Sequence, residues 1–329
     1  MASKFTGRQQ EVAIARETTR GTPVVASMIN LPKVNFTLED KVVKARSMGN
    51  YGVLPGGDAA PVTQKWAEGT LEIEAQDKSI ALLLYSLFGT LSSASFNSAY
   101  KHSLTIQNSV NPTTLTIAVK DPTDTTNFLV YARASVVSME LRYEAGEIVK
   151  AIVNFVSMPH KDWTGITWPT YTSENKFRHQ DLRFKIAAAL ANLDAASKIN
   201  IRSLVVRIDR MIARENALGT VQPVDMVSRG FKISATAVIT YQDRTYRDYM
   251  LNGTTKAVRI SLDKTDTTIG STTPQLQLDL PIVHFDAWEP NQPIDDISTE
   301  EITMEALYDV TNSILVGSNT FVVNATASY

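Results

Sequence analysis

The sequence predicts a mainly β fold built from two similar domains in tandem, each with one flanking α-helix. Apolar and polar residues alternate with a period of two through most of the 329 residues, which is typical of half-buried strands. Several segments of the first half recur in the second half at a nearly constant spacing, and each half has one helix candidate at the same place. A chain of this length can form two domains of ordinary size, each with its own core.

The repeat begins at residues 26–30, Ala-Ser-Met-Ile-Asn, which recur at residues 196–200 as Ala-Ser-Lys-Ile-Asn, a spacing of 170. Residues 70–77 correspond to residues 236–243 at a spacing of 166. Loop deletions between two copies of one ancestral unit produce such a decrease in spacing, from 170 to 166. We therefore expect a first domain at residues 1–165, a linker at 166–180 and a second domain at 181–329.

The strands are predicted from alternation and from the turn-forming residues that separate them. In the first half they are residues 34–38, 70–74, 104–106, 115–119, 128–131, 136–141 and 148–156. In the second half they are residues 204–208, 236–240, 275–280, 282–288 and 302–306. The predicted chain is mainly β in both halves.

One helix is predicted in each half. Asp77 can cap the first helix, and Gly89 can end it in a left-handed conformation. Asp243 and Gly253 have the same positions around the second helix. The apolar stripes are Ile80, Leu83, Leu84 and Leu87 in the first helix and Tyr246, Tyr249 and Met250 in the second. We expect each stripe to pack on one face of a sheet.

Two segments break the alternation at matching places. Residues 41–66 are rich in charge, Gly and Pro, and residues 210–230 are a shorter version. Such long loops are uncommon in compact domains unless they have a function, so we predict two arms. The arm candidates are Lys41, Lys44, Arg46, Tyr51, Arg210 and Arg214. Their basic side chains could contact phosphate or pair with acidic patches on a neighbouring subunit, and the sequence does not decide between these.

Composition excludes several function classes. The net charge is −2 and the pI about 6.1, so no overall basic field attracts nucleic acid. Cys is absent, which excludes disulfides and thiol chemistry. The first ten residues lack the apolar run of a signal peptide, and the longest apolar run, residues 80–88, is too short to cross a bilayer. We expect a protein made in the cytoplasm, without a membrane association.

No catalytic, cofactor-binding or metal-binding constellation is predicted, so we do not expect an enzyme. The four His are scattered without ligand spacing, and no phosphate-binding or nucleophile motif is present. Glu72 and Glu74 project from one face of a strand and could form an acid/base pair, but a solvated strand face is the better interpretation. The acidic residues Glu300, Glu301 and Glu305 have the same interpretation.

Residues 13–24, Ala-Ile-Ala-Arg-Glu-Thr-Thr-Arg-Gly-Thr-Pro-Val, resemble the opening of bacteriophage tail tube (major tail) proteins. In that family an Ala-x-Glu-x-x-x-Gly-Thr-Pro-like segment precedes the first strands. The resemblance implies two tail-tube-like domains, each a β-sandwich or partial barrel with one flanking α-helix. It also implies a structural subunit of the virion tail, assembled in the host cytoplasm as stacked rings around a channel for DNA. The arm at 41–66 would reach the adjacent ring, with 210–230 as its counterpart.

If six such domains form a ring and each chain supplies two, three chains close it, as a homotrimer with pseudo-sixfold symmetry. DNA must slide through the lumen without specific binding, so acidic or neutral side chains suit its lining. The lining candidates are Glu72, Glu74, Glu300, Glu301 and Glu305. The resemblance implies further partners: a tape measure protein, terminator proteins and, in a contractile tail, a sheath. The alternative hypothesis is a tandem β-sandwich binding or adhesion component of a virion.

Overall fold

The computed structural model describes residues 4–49, 51–52, 57–124 and 126–329. Among these residues, the first half contains ten strands and one α-helix: β1 (Glu11–Arg16), β2 (Ile29–Leu31), β3 (Lys33–Lys44), β4 (Val62–Glu74), α1 (Ser79–Phe88), β5 (Gly89–Phe96), β6 (Ala99–Ile106), β7 (Leu115–Lys120), β8 (Asn127–Glu144), β9 (Lys150–Ser157) and β10 (Lys161–Thr164). The predicted mainly β fold is thus confirmed for this half.

The second half continues the same alternation of strands and one helix. It contains β11 (Leu182–Ala187), β12 (Ile201–Asp209), β13 (Ile212–Glu215), β14 (Asp225–Ser228), β15 (Lys232–Thr240), α2 (Thr245–Leu251), β16 (Lys256–Asp263), β17 (Gln275–Asn291), β18 (Thr299–Ala306) and β19 (Phe321–Asn324). Short 3-10 turns occur at Gly7–Gln9, His179–Asp181 and Leu190–Asn192. Both helices are therefore where the sequence predicts them.

In the described part of the chain, seventeen strands form one continuous antiparallel sheet that folds over itself into a sandwich. The inner layer has the strand order β3–β4–β9–β8–β12–β15–β18–β17. The outer layer consists of two groups, β2–β1–β7–β8–β10 and β11–β16–β17–β19–β6–β5. The long strands β8 and β17 belong to both layers, each with a β-bulge where it changes layer, which is how strands turn the corners of sandwiches.

The two halves pair their strands in the same pattern. In the first half β3 pairs with β4, β4 with β9, β9 with β8, β8 with β7, and β7 with β1. In the second half β12 pairs with β15, β15 with β18, β18 with β17, β17 with β16, and β16 with β11. Helix α1 packs on β8, and α2 packs on the matching strand β17. These five pairings thus have the same order in both halves, while one hydrophobic core contains residues of both halves, such as Leu71 and Val206.

Helix α1 is more buried than its apolar stripe predicts, because all ten of its residues are buried. It ends as expected at Gly89, whose φ of 91° is the left-handed conformation that Gly adopts most easily. Its first turn differs from the prediction. The carboxylate of Asp77 accepts bonds from Asn175, and Glu174 takes the capping role, accepting from the Ser79 backbone N–H at 2.6 Å. The helix cap is therefore supplied from the predicted linker.

Helix α2 follows the prediction more closely. The Asp243 carboxylate accepts a bond of 2.8 Å from the backbone N–H of Thr245. Tyr246 and Tyr249 pack against Phe285 of β17, with ring centroids 6.3 and 5.4 Å away. The two helices thus occupy matching places, but α2 is only half-buried.

Many contacts join the two halves, and three of them lie within or beside the sheet. Strand β8 pairs with β12 over seven residues, from Ser138 opposite Asp209 to Glu144 opposite Ser203. Strand β19 of the second half pairs with β6 of the first. The side chain of Arg210, which is 1% exposed, reaches the end of α1 and donates to the carbonyls of Ser86 and Leu87. The inner layer therefore continues without a break from one half into the other.

Candidate functional site

The inner layer has one face toward the core and one face toward solvent, which we call the open face. Side chains alternate along each strand, so residues that pair across strands share a face. Leu71, Val153 and Val206 lie in the core. The neighbouring residues form an open-face row across six strands: Glu72, Ile152, Glu140, Arg207, Ser234 and Glu305. A broad polar surface thus extends over both halves.

Acidic side chains outnumber basic ones on the open face. The acidic residues are Glu39, Glu68, Glu72, Glu74, Glu140, Glu144, Asp209, Glu289, Glu301 and Glu305. The basic residues are Lys41, Arg142, Lys150, Arg207 and Lys232. Several ion pairs, such as Arg207 with Glu140 and Lys232 with Glu305, both at 2.6 Å, partly neutralise this charge. The face is net acidic but not uniformly so.

Four of the five lining candidates share this face, namely Glu72, Glu74, Glu301 and Glu305. The fifth does not. Glu300 is 1% exposed and lies on the core side of β18, where its carboxylate accepts a bond from the Trp288 indole N–H. Burial raises its pKa above the ordinary value. Because neighbouring strand residues alternate in direction, Glu300 and Glu301 face opposite sides of the sheet, and the prediction that Glu300 lies with the other four is wrong.

The first arm is a long β-hairpin made by the ends of β3 and β4. Backbone bonds from Ala45 to Pro61 and from Ser47 to Ala59 extend the ladder beyond the strands. Residues 50 and 53–56 of the predicted arm lie outside the described residues. Lys44, Arg46 and Tyr51 are exposed, while Lys41 pairs with Glu39 at 3.1 Å. Large apolar side chains are also exposed on this arm, namely Val42, Val43, Met48 and Val62, as in a contact surface.

The second arm is the separate hairpin of β13 and β14, and it folds back onto the first half. The guanidinium of Arg214 lies over the Trp66 ring, 3.6 Å from its centroid. The carboxylate of Asp225 forms an ion pair of 2.8 Å with Arg20. Arg210, which the sequence placed in this arm, is instead buried against α1. Of the two arms, the second is thus docked within the chain.

The Glu-x-x-x-Gly element of residues 17–21 has a structural explanation. The buried carboxylate of Glu17 accepts bonds from the backbone N–H groups of Gly21 and Arg133, each at 2.7 Å, and from the Thr114 hydroxyl at 2.5 Å. Gly21 has φ of 78°, and a Cβ there would meet the Arg133 side chain at 2.7 Å. The motif therefore fixes the loop between β1 and β2, next to the ion pair that holds the second arm.

Three of the four scattered His residues have separate local side-chain partners. His102 is buried between the Ser93 hydroxyl and the Asn324 side chain, and burial lowers its pKa. His160 pairs with Asp40 and His284 with Asp286. Within the described residues, no three His, Cys, Asp or Glu side chains are grouped so as to hold a metal ion. None of the described helices has the length and apolar character needed to cross a membrane.

Comparison with known proteins gives one family. The family model described as phage tail tube protein matches residues 7–306. The match covers the segment around Glu17, both arms and the second half as far as the end of β18. No curated protein matches the sequence significantly.

Proposed function

This chain belongs to the phage tail tube protein family, and we propose that three copies of it close into a ring and that such rings stack into the tube. The family consists of structural proteins rather than enzymes, so the chain is a structural component of the virion tail that assembles with itself and with other tail proteins. One observation carries the proposal: five strand pairings of the first half recur in the same order in the second half, and β8 and β12 join the two halves edge to edge.

The matching strand pairings support an internal duplication, with units at residues 1–165 and 181–329 and a connecting segment at 166–180. The β-bulges strengthen this support. Val137 is the extra residue in β8 opposite β9, and Asp286 is the extra residue in β17 opposite β18. Val34 in β3 and Arg202 in β12 are likewise matching extra residues. Irregularities of this kind are specific to a family's fold, so their recurrence favours common ancestry.

A ring follows from the way the units are joined. The contact between β8 and β12 uses different edges of the two units, so it is heterologous, and repetition of a heterologous contact closes a ring when the rotation allows it. Closure would also cover the sheet edges that otherwise favour aggregation. If the ring holds six units, three chains complete it, with three joints inside chains and three between chains.

Purified protein tests the stoichiometry. We expect tubes of uniform width whose rings show six similar lobes in electron micrographs but contain three chains each, as counted by mass per ring. Six chains per ring would mean that the second half does not act as a tube unit. Protein that stays monomeric in assembly conditions would overturn the proposal and favour the binding or adhesion alternative.

The open face is our proposal for the channel lining, because it is polar, net acidic and continuous over both units. Strong phosphate contacts would trap DNA, whereas an acidic surface repels it weakly. The variant Glu72→Lys/Glu74→Lys should still form tubes, since both side chains lie on the solvent side of β4, but it should slow DNA ejection from assembled particles. The rate of ejection, followed by a DNA-binding dye, is the measurement.

The matched control is Asp162→Lys on β10 of the outer layer, where the side chain is 71% exposed. This variant changes charge in the same direction but away from the open face, so its ejection rate should equal that of the unmodified protein. Equal ejection rates for the Glu72/Glu74 variant and the control would contradict the assignment of the open face to the channel.

A further inference from the structure

The inner layer ends in two unpaired strand edges. Within the described residues, β3 pairs with β4 alone, and β17 from His284 to Asn291 pairs with β18 alone. β3 and β17 are the first and last of the eight strands of the inner layer. Backbone N–H and C=O groups along such edges are ready to pair with another chain.

We propose that β17 of one chain pairs with β3 of a second copy, in the register that β8 holds with β12 inside the chain. The inference rests on the proposed ring and specifies its intersubunit joint. Each strand of the inner layer is antiparallel to its neighbour, so after eight strands the next β3 is antiparallel to β17, as β12 is to β8. A rotation about the ring axis therefore places the two edges together with the correct polarity.

The equivalent residues follow from the bulges. Val137 of β8 and Asp286 of β17 differ by 286 − 137 = 149. Val34 of β3 and Arg202 of β12 differ by 202 − 34 = 168. The second spacing is two residues less than the 170 at which residues 26–30 recur. The strand pairings therefore shift the alignment of β3 with β12 by two residues from the spacing of 170. A shift of two residues keeps every side chain on its face of the sheet.

These spacings transfer the internal register to the joint between chains. Inside the chain Arg142 is opposite Val205. The equivalent of Arg142 in β17 is Asn291 (142 + 149), and the equivalent of Val205 in β3 is Thr37 (205 − 168). Asn291 of one chain should therefore lie opposite Thr37 of the second copy. By the same arithmetic Met139 opposite Ile208 becomes Trp288 opposite Asp40 of the second copy.

The interactions expected across the joint between chains are less favourable than those across the joint within the chain. Glu140 and Arg207 form an ion pair of 2.6 Å across β8 and β12, but their equivalents are Glu289 and Glu39, two like charges that oppose pairing. Pro290 has no N–H to donate to the ladder, and proline is tolerated on edge strands. A weaker joint suits a chain that folds alone first and joins its neighbours at the growing tube.

The absence of Cys from the sequence allows a direct test by disulfide formation. Side chains directly opposite on neighbouring antiparallel strands have Cβ atoms about 4.5–5.5 Å apart, close enough for a disulfide after small movements. The variant Thr37→Cys/Asn291→Cys should give, after assembly and oxidation, a covalent ring of three chains on non-reducing gels, with dimers as intermediates. Mixing the two single variants should give dimers and nothing larger.

Two control variants test whether cross-linking depends on the proposed register. Arg142→Cys/Val205→Cys, the equivalent pair inside the chain, should form a disulfide within monomers. Asn35→Cys/Asn291→Cys, which is displaced by two residues on the same face, should cross-link much less. Tubes that form without cross-links in the Thr37/Asn291 variant, or with better cross-links in the displaced variant, would overturn the register and leave the proposed function standing. Absence of tubes from the unmodified protein would instead overturn the proposed function.

Discussion

Arg210→Ala is expected to lower the free energy of unfolding by about 3–5 kcal/mol, because it removes a fully buried side chain and leaves two buried carbonyls without donors. The last four carbonyls of a helix have no partners within the helix. In α1 the Gly89 N–H binds the carbonyl of Tyr85, and the Gln107 N–H binds that of Phe88. Among the described residues, Arg210 alone donates to the other two, the carbonyls of Ser86 and Leu87, at 3.1 and 2.9 Å.

Comparison with Arg210→Met separates the causes of this loss. Burial lowers the pKa of Arg210 to about 10, which means that the folded protein disfavours the charge it holds there. Methionine removes that unfavourable charge and keeps most of the apolar volume, so its cost should be about 1–3 kcal/mol, from the two carbonyls. Denaturant unfolding measures both variants. Equal stabilities for the methionine and alanine variants would show that packing contributes little at this site.

The Arg210 contact also connects stability to assembly. It joins the end of β12, in the second unit, to the helix of the first, beside the ladder between β8 and β12. We therefore expect Arg210→Ala to produce fewer and less regular tubes even at temperatures where the variant is folded. Normal tubes from this variant would mean that the ladder between β8 and β12 orients the two units without Arg210.

The sequence predicted the features that depend on local pattern. Among the described residues, alternation located ten of the nineteen strands, although it divided each of β8 and β17 into two. The placement of Glu72 and Glu74 on one face followed from the same period of two. Gly89 and Gly253 predicted where both helices end. These predictions succeed because side-chain direction in a strand and left-handed backbone at a helix end are decided by a few neighbouring residues.

The features that the sequence did not predict depend on distant segments. Arg210 belongs to a charged stretch that resembles an arm, and only the packing of β12 beside β8 carries its side chain to α1. The capping of α1 by Glu174 requires the predicted linker to return past the helix start. The separation of Glu300 from Glu301 is different, since alternation within a strand alone places adjacent residues on opposite faces.

The proposed duplication would change the energetics of assembly. Half of the joints in the proposed ring form inside the chain, where closing a joint needs no association of separate molecules. Association of separate chains costs translational and rotational freedom that an internal joint does not. The internal joint can therefore be strong and permanent, as the Arg210 contact and the Glu140–Arg207 pair indicate, while the joint between chains stays weak enough to prevent premature polymerisation.

Asp279→Ala is the second variant expected to lose stability strongly, by about 3–5 kcal/mol, because it leaves a buried cation without its main partner. Asp279 is fully buried, and its two oxygens accept bonds of 2.7 Å from the Arg259 guanidinium. The pair links β16 to β17 in the outer layer, just before β17 crosses into the inner layer toward its free edge. Loss of the pair should therefore reduce tube formation as well as stability.

A double-mutant cycle isolates the pair. Arg259→Met alone should destabilise the protein because it leaves the Asp279 carboxylate buried and unpaired, whereas Asp279→Ala/Arg259→Met should cost clearly less than the sum of the single changes. The exposed pair of Lys150 and Glu147, also at 2.7 Å, is the control. Glu147→Ala should cost less than about 1 kcal/mol, since water solvates both charges. Additive losses at Asp279 and Arg259 would mean that the cost comes from packing around β17 rather than from the unpaired charge.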